Sequence, residues 1–246
     1  MKKIITSAAL VLLGVLAVSA QPGPGPMPAG FPPRQAQAPA EPNKLTLDMY
    51  FVPQTQEAAT PDSEGFIRRW TLLDPINKPN FTNAVFTDSY IRAAFDTLYY
   101  NEQKTIVPKD GQKVKVGKKK LTWHCYDSKL FNVKLFRFAT ETDKQFYGVI
   151  FQAVTVVNFP KDVTVRLAVG SNSASQWWID GNEAVILSGD RRMVQDDCCS
   201  KRLKITAGPH VLRGFVINGP GMSDFCVRFL DESGNPVTDY TISNQL

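Results

Sequence analysis

From residue 44 onward apolar and polar positions alternate over most of the chain, and this period of two predicts extended strands. Lys44 to Phe51 alternates through Leu45, Leu47 and Met49 and is ended by Pro53. Phe66 to Leu73 forms a second apolar run, closed by Asp74-Pro75, and residues 77–83 read as loop. Tyr90, Ile91, Ala94 and Phe95 fall on one face at helical spacing behind Thr87 or Asp88 as a cap, which predicts a single short helix ending near Phe95. Val114 to Tyr126 reads as a hairpin about Gly117, with a further extended segment through Phe131, Val133 and Leu135 and a long strand over Gln145 to Asn158. Shorter strands follow at Val163–Val169, Gln176–Asp180, Glu183–Leu187, Lys201–Thr206, His210–Ile217 and Asp224–Leu230. Alternating strands need a second sheet to cover their apolar face. The expected fold is therefore an all-β, antiparallel, jelly-roll-like β-sandwich with one short helix.

Asp180-Gly181 supplies the positive φ of a tight two-residue turn and predicts a hairpin there. Successive side chains of a strand face opposite ways, so Trp177 and Trp178 cannot both enter one core. Ile179 is the better core residue than Asp180, which places Trp177 inward with Ile179 and Trp178 outward with Asp180. An outward indole can cover the apolar face of a sugar ring while neighbouring polar groups bond its hydroxyls. If both faces of the sheet are covered, the same side chain is packing. The candidate ligand-binding residues are Trp178, Asp180 and the charged loop Asp190, Arg191 and Arg192.

Composition divides the chain. Lys2 and Lys3, an apolar run over 4–18 and the small-residue site Val18-Ser19-Ala20 read as a signal peptide over residues 1–20, cleaved near Ala20. Export to the periplasm, cell surface or extracellular space follows, with no membrane span in the mature chain. Residues 21–42, rich in Pro, Gly, Ala and Gln, read as a tether, and 43–246 as a single β-sandwich domain. Loss of Lys2 and Lys3 lowers the formal charge from +5 to +3, so nucleic acid is not an expected partner. The lysines around Gly117 read as a solvated hairpin, with an anionic polymer as the alternative. The disulfide candidates are Cys125, Cys198, Cys199 and Cys226, with a bridge from the Cys198-Cys199 loop to Cys226 preferred, since adjacent cysteines pair only through a strained ring. No CxxC spacing supports a metal, and no metal or cofactor is expected.

Enzyme signatures are missing. There is no Gly-x-Ser-x-Gly elbow, and the two histidines, His124 and His210, have no sequence-adjacent nucleophile beyond Cys125. Asp196-Asp197 reads as a solvated acidic loop. A paired-carboxylate glycosidase site assembled from distant strands stays open.

Trp123, Phe131, Leu167-Ala168-Val169-Gly170-Ser171, Trp178-Ile179-Asp180-Gly181, Gly189-Asp190-Arg191, Thr206-Ala207-Gly208 and Val227-Arg228-Phe229 together resemble, over Leu121 to about Asp231, the galactose-binding and PA14-like β-sandwich modules of secreted bacterial carbohydrate-active enzymes. Phe66 to Ile76 resembles the opening strand of such modules in acetylxylan esterase-associated proteins. The resemblance implies a non-catalytic, secreted carbohydrate-binding module whose partner is a polysaccharide or other glycan, acting beside a secreted hydrolase or an envelope protein. Asn172-Ser173 stands where the calcium-binding lectins of the PA14 kind carry an adjacent acidic pair, so calcium is not implied. The alternatives are a structural or protein-interaction component of the cell envelope and, third, an esterase or glycosidase with an unrecognised site.

Overall fold

The structure is a computed structural model that describes residues 46–246, so the expected signal peptide and tether lie outside the described residues. The described residues 46–246 belong to one unit. A 3-10 turn at Leu47–Met49 precedes β1 (Phe51–Pro53), β2 (Arg69–Leu73) and β3 (Ile76–Asn77). Then come α1 (Asp88–Asp96), β4 (Lys113–Val116), β5 (Lys119–Ser128) and α2 (Leu135–Glu141). The remainder is strand: β6 (Val149–Phe159), β7 (Val163–Ser171), β8 (Ala174–Ile179), β9 (Asn182–Leu187), β10 (Cys198–Cys199), β11 (Leu203–Ile205), β12 (Gly208–Asn218), β13 (Phe225–Leu230) and β14 (Thr241–Ser243).

The large sheet runs β1-β5-β2-β6-β12-β8-β9, with β3 and β14 also on β6 and β4 on β5. The small sheet centres on β7, flanked by β13 on one edge and by β10 and β11 on the other. The two long strands β6 and β12 pair over their full lengths, from Gly208 opposite Phe159 to Asn218 opposite Val149, and make the spine of the large sheet. Trp70, Phe151, Trp177 and Val216 from the large sheet meet Leu167, Val169, Phe225 and Val227 from the small one in the main core. At its centre the rings of Trp70, Trp177 and Phe225 pack edge to face with centroids 5.0–5.8 Å apart. This is the all-β sandwich expected from the alternation.

The opposite face of the large sheet is covered as well. Ile91, Ala94 and Phe95 of α1 pack with Trp123, Ile150, Phe215 and Ile217 in a second core, and Trp178 lies against it. Thr87 caps α1, its Oγ1 accepting from the Tyr90 N–H at 3.4 Å.

Two local expectations are corrected. Leu47 and Met49 do not form a strand; residues 47–49 make a 3-10 turn that leads into the short edge strand β1, and Leu45 lies outside the described residues. The segment expected to be extended at Leu135 is helix α2, in which Leu135, Phe138 and Ala139 are buried at i, i+3 and i+4. The second helix is thus an addition to the single one expected.

The expected disulfide is also corrected, since all four cysteines are free. Cys198 and Cys199 lie on the β10 edge of β7 and Cys226 on the β13 edge. Two interstrand spacings, about 9.6 Å, separate those edges, beyond the roughly 7 Å limit of a disulfide. Cys125 lies on the large sheet, where its sulfur contacts Thr71 Oγ1 at 3.3 Å and accepts from Asn244 Nδ2 at 3.0 Å. Burial pushes the Cys226 thiol up to about 12. At pH 7, maleimide is therefore expected to modify exposed Cys199 first and Cys198 more slowly, leaving Cys226 and Cys125 intact until denaturant is added. Peptide mapping of the labelled protein checks the order, and rapid labelling of Cys226 would contradict it.

Candidate functional site

The β8–β9 hairpin turns on Asp180 and Gly181, both with positive φ (49° and 79°). Trp177 points into the main core and is fully buried, while Trp178, its neighbour, points to the other face. There Trp178 is half-buried, its ring edge-on to Phe215 at 5.1 Å and to Phe95 at 6.3 Å. The indole is not a bare platform on the sheet. It forms one wall of a recess of about 20 Å³ shared with Lys104, Gly181, Arg213 and Phe215. One water needs about 10–15 Å³ on that scale, so the recess admits a group of one or two heavy atoms, not a whole ring. A side chain at Gly181 would meet nothing within 4 Å, so the mouth above the turn is open.

Arg213 gives the recess its chemistry. It sits on β12 opposite Trp178 and, although a cation, is only 4% exposed. Its Nη2 donates to the Ile106 carbonyl, its Nη1 has no hydrogen-bond partner, and it forms no ion pair with a carboxylate among the described residues. Burial lowers its pKa to about 10, against a smaller opposing effect of Tyr100, so it is charged at neutral pH. Lys104 at the rim pairs with Asp96 at 2.5 Å and is half exposed. Around these groups Gln152 Nε2 and Gln176 Oε1 are also buried without partners, while Tyr100 bonds Gln152 Oε1 and Gln176 Nε2 donates to Glu183 at 2.6 Å. An oxygen-bearing group entering beside Trp178 would meet an aromatic edge and two cations.

The other residues singled out in the sequence lie differently. Asp180 is committed to the turn, its Oδ1 accepting from the Val211 N–H at 2.8 Å and its Oδ2 meeting His210 Nδ1 at 2.6 Å. The second ring nitrogen of His210 lies 2.9 Å from the Thr206 carbonyl, which makes this histidine a strut between β12 and the hairpin. Asp190, Arg191 and Arg192 are at the far end of the hairpin. Asp190 accepts from Asn83 at 2.7 Å, and Arg191 is held by Asp197 and by the Ser188 carbonyl. Arg192 is exposed. Ser173, whose N–H donates to Arg191, is separated from Trp178 by the length of β8, roughly 16 Å at 3.3 Å per residue, so these side chains do not join Trp178 in one site. Arg213 and Lys104 carried no motif; strand pairing reveals Arg213, and the placement of the turn at 101–105 reveals Lys104.

His124 has an acid partner but no nucleophile. Its Nε2 lies 3.1 Å from Asp74 Oδ1, and its ring stacks on Tyr126 at 6.1 Å. Burial alone would raise the Asp74 pKa, and the hydrogen bonds from His124 and Thr122 with the nearby Lys144 charge outweigh it and hold the carboxyl below its ordinary value. No serine or cysteine bonds His124 among the described residues, and Cys125 faces the other side of β5. His, Cys, Asp and Glu do not gather in groups of three or more of metal-binding geometry among the described residues. No described helix is long and apolar enough to cross a membrane.

No protein-family model matches the sequence, and no curated protein matches it. Among solved structures, the chain is similar to a PA14 sugar-binding domain from an RTX adhesin, at 8% identity over 71% of this chain and 96% of that one, with a TM-score of 0.42. It is similar to the PA14 domain of an antifreeze protein at 12% identity over 77% of this chain and 96% of that one, with a TM-score of 0.41. A β-glucosidase from Kluyveromyces marxianus matches at 12% identity over 50% of this chain and 16% of that enzyme, with a TM-score of 0.35. The acetylxylan esterase association has no counterpart among these three, and the assignment of the chain as an antiparallel β-sandwich rests on its own strand pairing.

Proposed function

We propose that the chain is an exported, non-catalytic glycan-binding module whose contact point is the recess at Trp178. The observation that carries the reading is Arg213, buried with its Nη1 unpaired, in the lining of a recess walled by an indole. A sugar presents what this geometry takes: an oxygen that accepts from Arg213 and Lys104, and an apolar ring edge that lies against Trp178 and across the open turn at Gly181. Its hydroxyl or carboxylate oxygen fits the small volume, and the ring stays outside. No step of bond breaking is assigned, because His124 has no nucleophile to activate.

The test is retention of the full chain on a panel of soluble and insoluble glycans, with and without chelator. Retention on one glycan class irrespective of chelator is expected. Lys104→Ala, at a half-exposed rim position, is expected to weaken it by roughly threefold to tenfold without changing thermal stability. If no glycan is retained, the reading fails and an envelope-interaction role takes its place.

A further inference from the structure

The hairpin of β4 and β5 carries Lys113, Lys115, Lys118, Lys119 and Lys120, all exposed. Among the described residues the lysines that pair with carboxylates are Lys104, Lys134, Lys144 and Lys161, so the five hairpin cations have no internal counter-charge. Lys113, Lys115 and Lys120 share one face of the hairpin, turned outward because Val114 and Val116 pack beneath it on the second core, while Lys119 lies across from Val116 and Lys118 stands in the turn at the tip. The hairpin is therefore a held platform for charge.

Beside its tip opens a cleft of about 860 Å³, bounded by residues 116–121, by Leu98 and Tyr99, by the turn at 143–145, and by Asp74 and Pro75. Small-ligand sites span roughly 300–1,000 Å³, so this volume is that of a ligand of several rings. Leu98, 65% exposed, and the half-buried Tyr99 supply an apolar wall. Lys118, Lys119 and Lys120 supply the charge. Of the two acids in the cleft, Asp74 is 97% buried and already satisfied by the Thr122 N–H, His124 and Lys144, which leaves Asp143 alone against the lysines.

We infer that this cleft is a second binding site, distinct from the Trp178 recess, for a polyanionic polysaccharide whose carboxylate or sulfate groups meet the hairpin lysines. Charge complementarity selects the anion, since cations on low-dielectric walls raise the local concentration of the opposite charge. The cleft selects a sugar chain over a nucleic acid because single-stranded bases need exposed aromatic faces to stack on. Its one aromatic, Tyr99, is half-buried and tethered by its hydroxyl to the Ala94 carbonyl at 3.0 Å. The inference does not rest on the recess, and either site can fail alone.

The experiment measures binding of the full chain to polygalacturonate, dextran sulfate, neutral dextran and a single-stranded DNA of matched charge, at about 20 mM and 300 mM salt, where screening lengths differ several-fold. Binding to an anionic glycan at low salt and its loss at high salt are expected, and the preferred polymer identifies carboxylate or sulfate as the recognised group. The triple variant Lys118→Glu, Lys119→Glu, Lys120→Glu is expected to weaken that binding about tenfold or more, with an unchanged melting temperature. Lys104→Ala is expected to leave it unchanged, which separates this site from the recess. Should the triple variant fold poorly, Lys118→Ala with Lys119→Ala gives the same reading with less charge reversal. Anionic binding undiminished in a folded hairpin variant, no anionic binding at low salt, or tighter binding of DNA than of either glycan would each overturn the inference.

Discussion

Gly214→Ala is expected to destabilise the protein by about 3 kcal/mol, a large share of the 5–15 kcal/mol that holds a domain folded. Gly214 lies at the middle of β12, opposite Trp177 on one side and Ala153 on the other. A methyl group there would stand 2.1 Å from the Trp177 ring, with two further ring carbons within 2.5 Å. The indole has nowhere to go, because Trp70 and Phe225 pack edge-on against it and its Nε1 donates to Ser175 Oγ at 3.0 Å. Nor can the backbone give, since β12 is hydrogen-bonded to β6 along one edge and to β8 along the other. Urea unfolding reads the effect as a lowered midpoint at constant slope. In a Trp177→Leu background the same substitution is expected to cost less than about 1 kcal/mol, because the clash and not the lost glycine is the cause. An unchanged midpoint for Gly214→Ala would refute the packing account of this core.

Much of this architecture was legible locally. Asp180-Gly181 specifies its turn through φ alone, and the pleat then sends Trp177 and Trp178 to opposite faces whatever the rest of the chain does. Helix α1 announces itself by Thr87 and the spacing of Ile91, Ala94 and Phe95. Helix α2 does not, because Phe131, Val133 and Leu135 alternate into it and a short apolar run fits either period. The candidate site was half legible for a related reason. That Trp178 faces away from the main core is a property of one strand, but that Phe95 covers part of it depends on a helix some ninety residues earlier in the chain, and that Arg213 and Lys104 stand beside it depends on long-range pairing. The loop 190–192 reads as a companion of Trp178 in sequence because only the short strand β9 separates it from the turn. The length of β8 and β9 carries it to the opposite end of the hairpin. Asp180 likewise looks free in the sequence and is taken by His210 and the Val211 N–H once β12 arrives.

Arg213→Met is expected to raise stability by about 1–2 kcal/mol while weakening glycan retention at the recess by tenfold or more, opposite signs that a merely structural residue would not give. The guanidinium is 4% exposed and lacks a carboxylate partner among the described residues. Burial drops its pKa well below the ordinary guanidinium value, to about 10, a displacement corresponding to about 3 kcal/mol against the folded state. A basic group whose pKa is depressed on folding binds fewer protons in the native state, so its penalty would shrink only as pH rose from about 10 towards the ordinary guanidinium value, and at pH 7 it is present in full. The Ile106 carbonyl loses its Nη2 donor in the variant, which offsets part of the gain. Methionine is shorter than arginine but keeps a flexible apolar stem beside Phe215 and Trp178 without the charge. Contrast Arg228, also buried, which is paired with Asp196 through two nitrogens and lies 4.7 Å over the Phe66 ring; Arg228→Met is expected to destabilise, because Asp196 would lose its counter-ion. Thermal or urea unfolding of both variants, with glycan retention of Arg213→Met, separates the two kinds of buried arginine. A loss of more than about 2 kcal/mol in Arg213→Met would make Arg213 a structural strut, and unchanged retention in a stable variant would move the contact point away from Trp178. On the proposed reading, a glycan oxygen bound at the recess would accept from Arg213 and offset the cost of the unpaired buried cation.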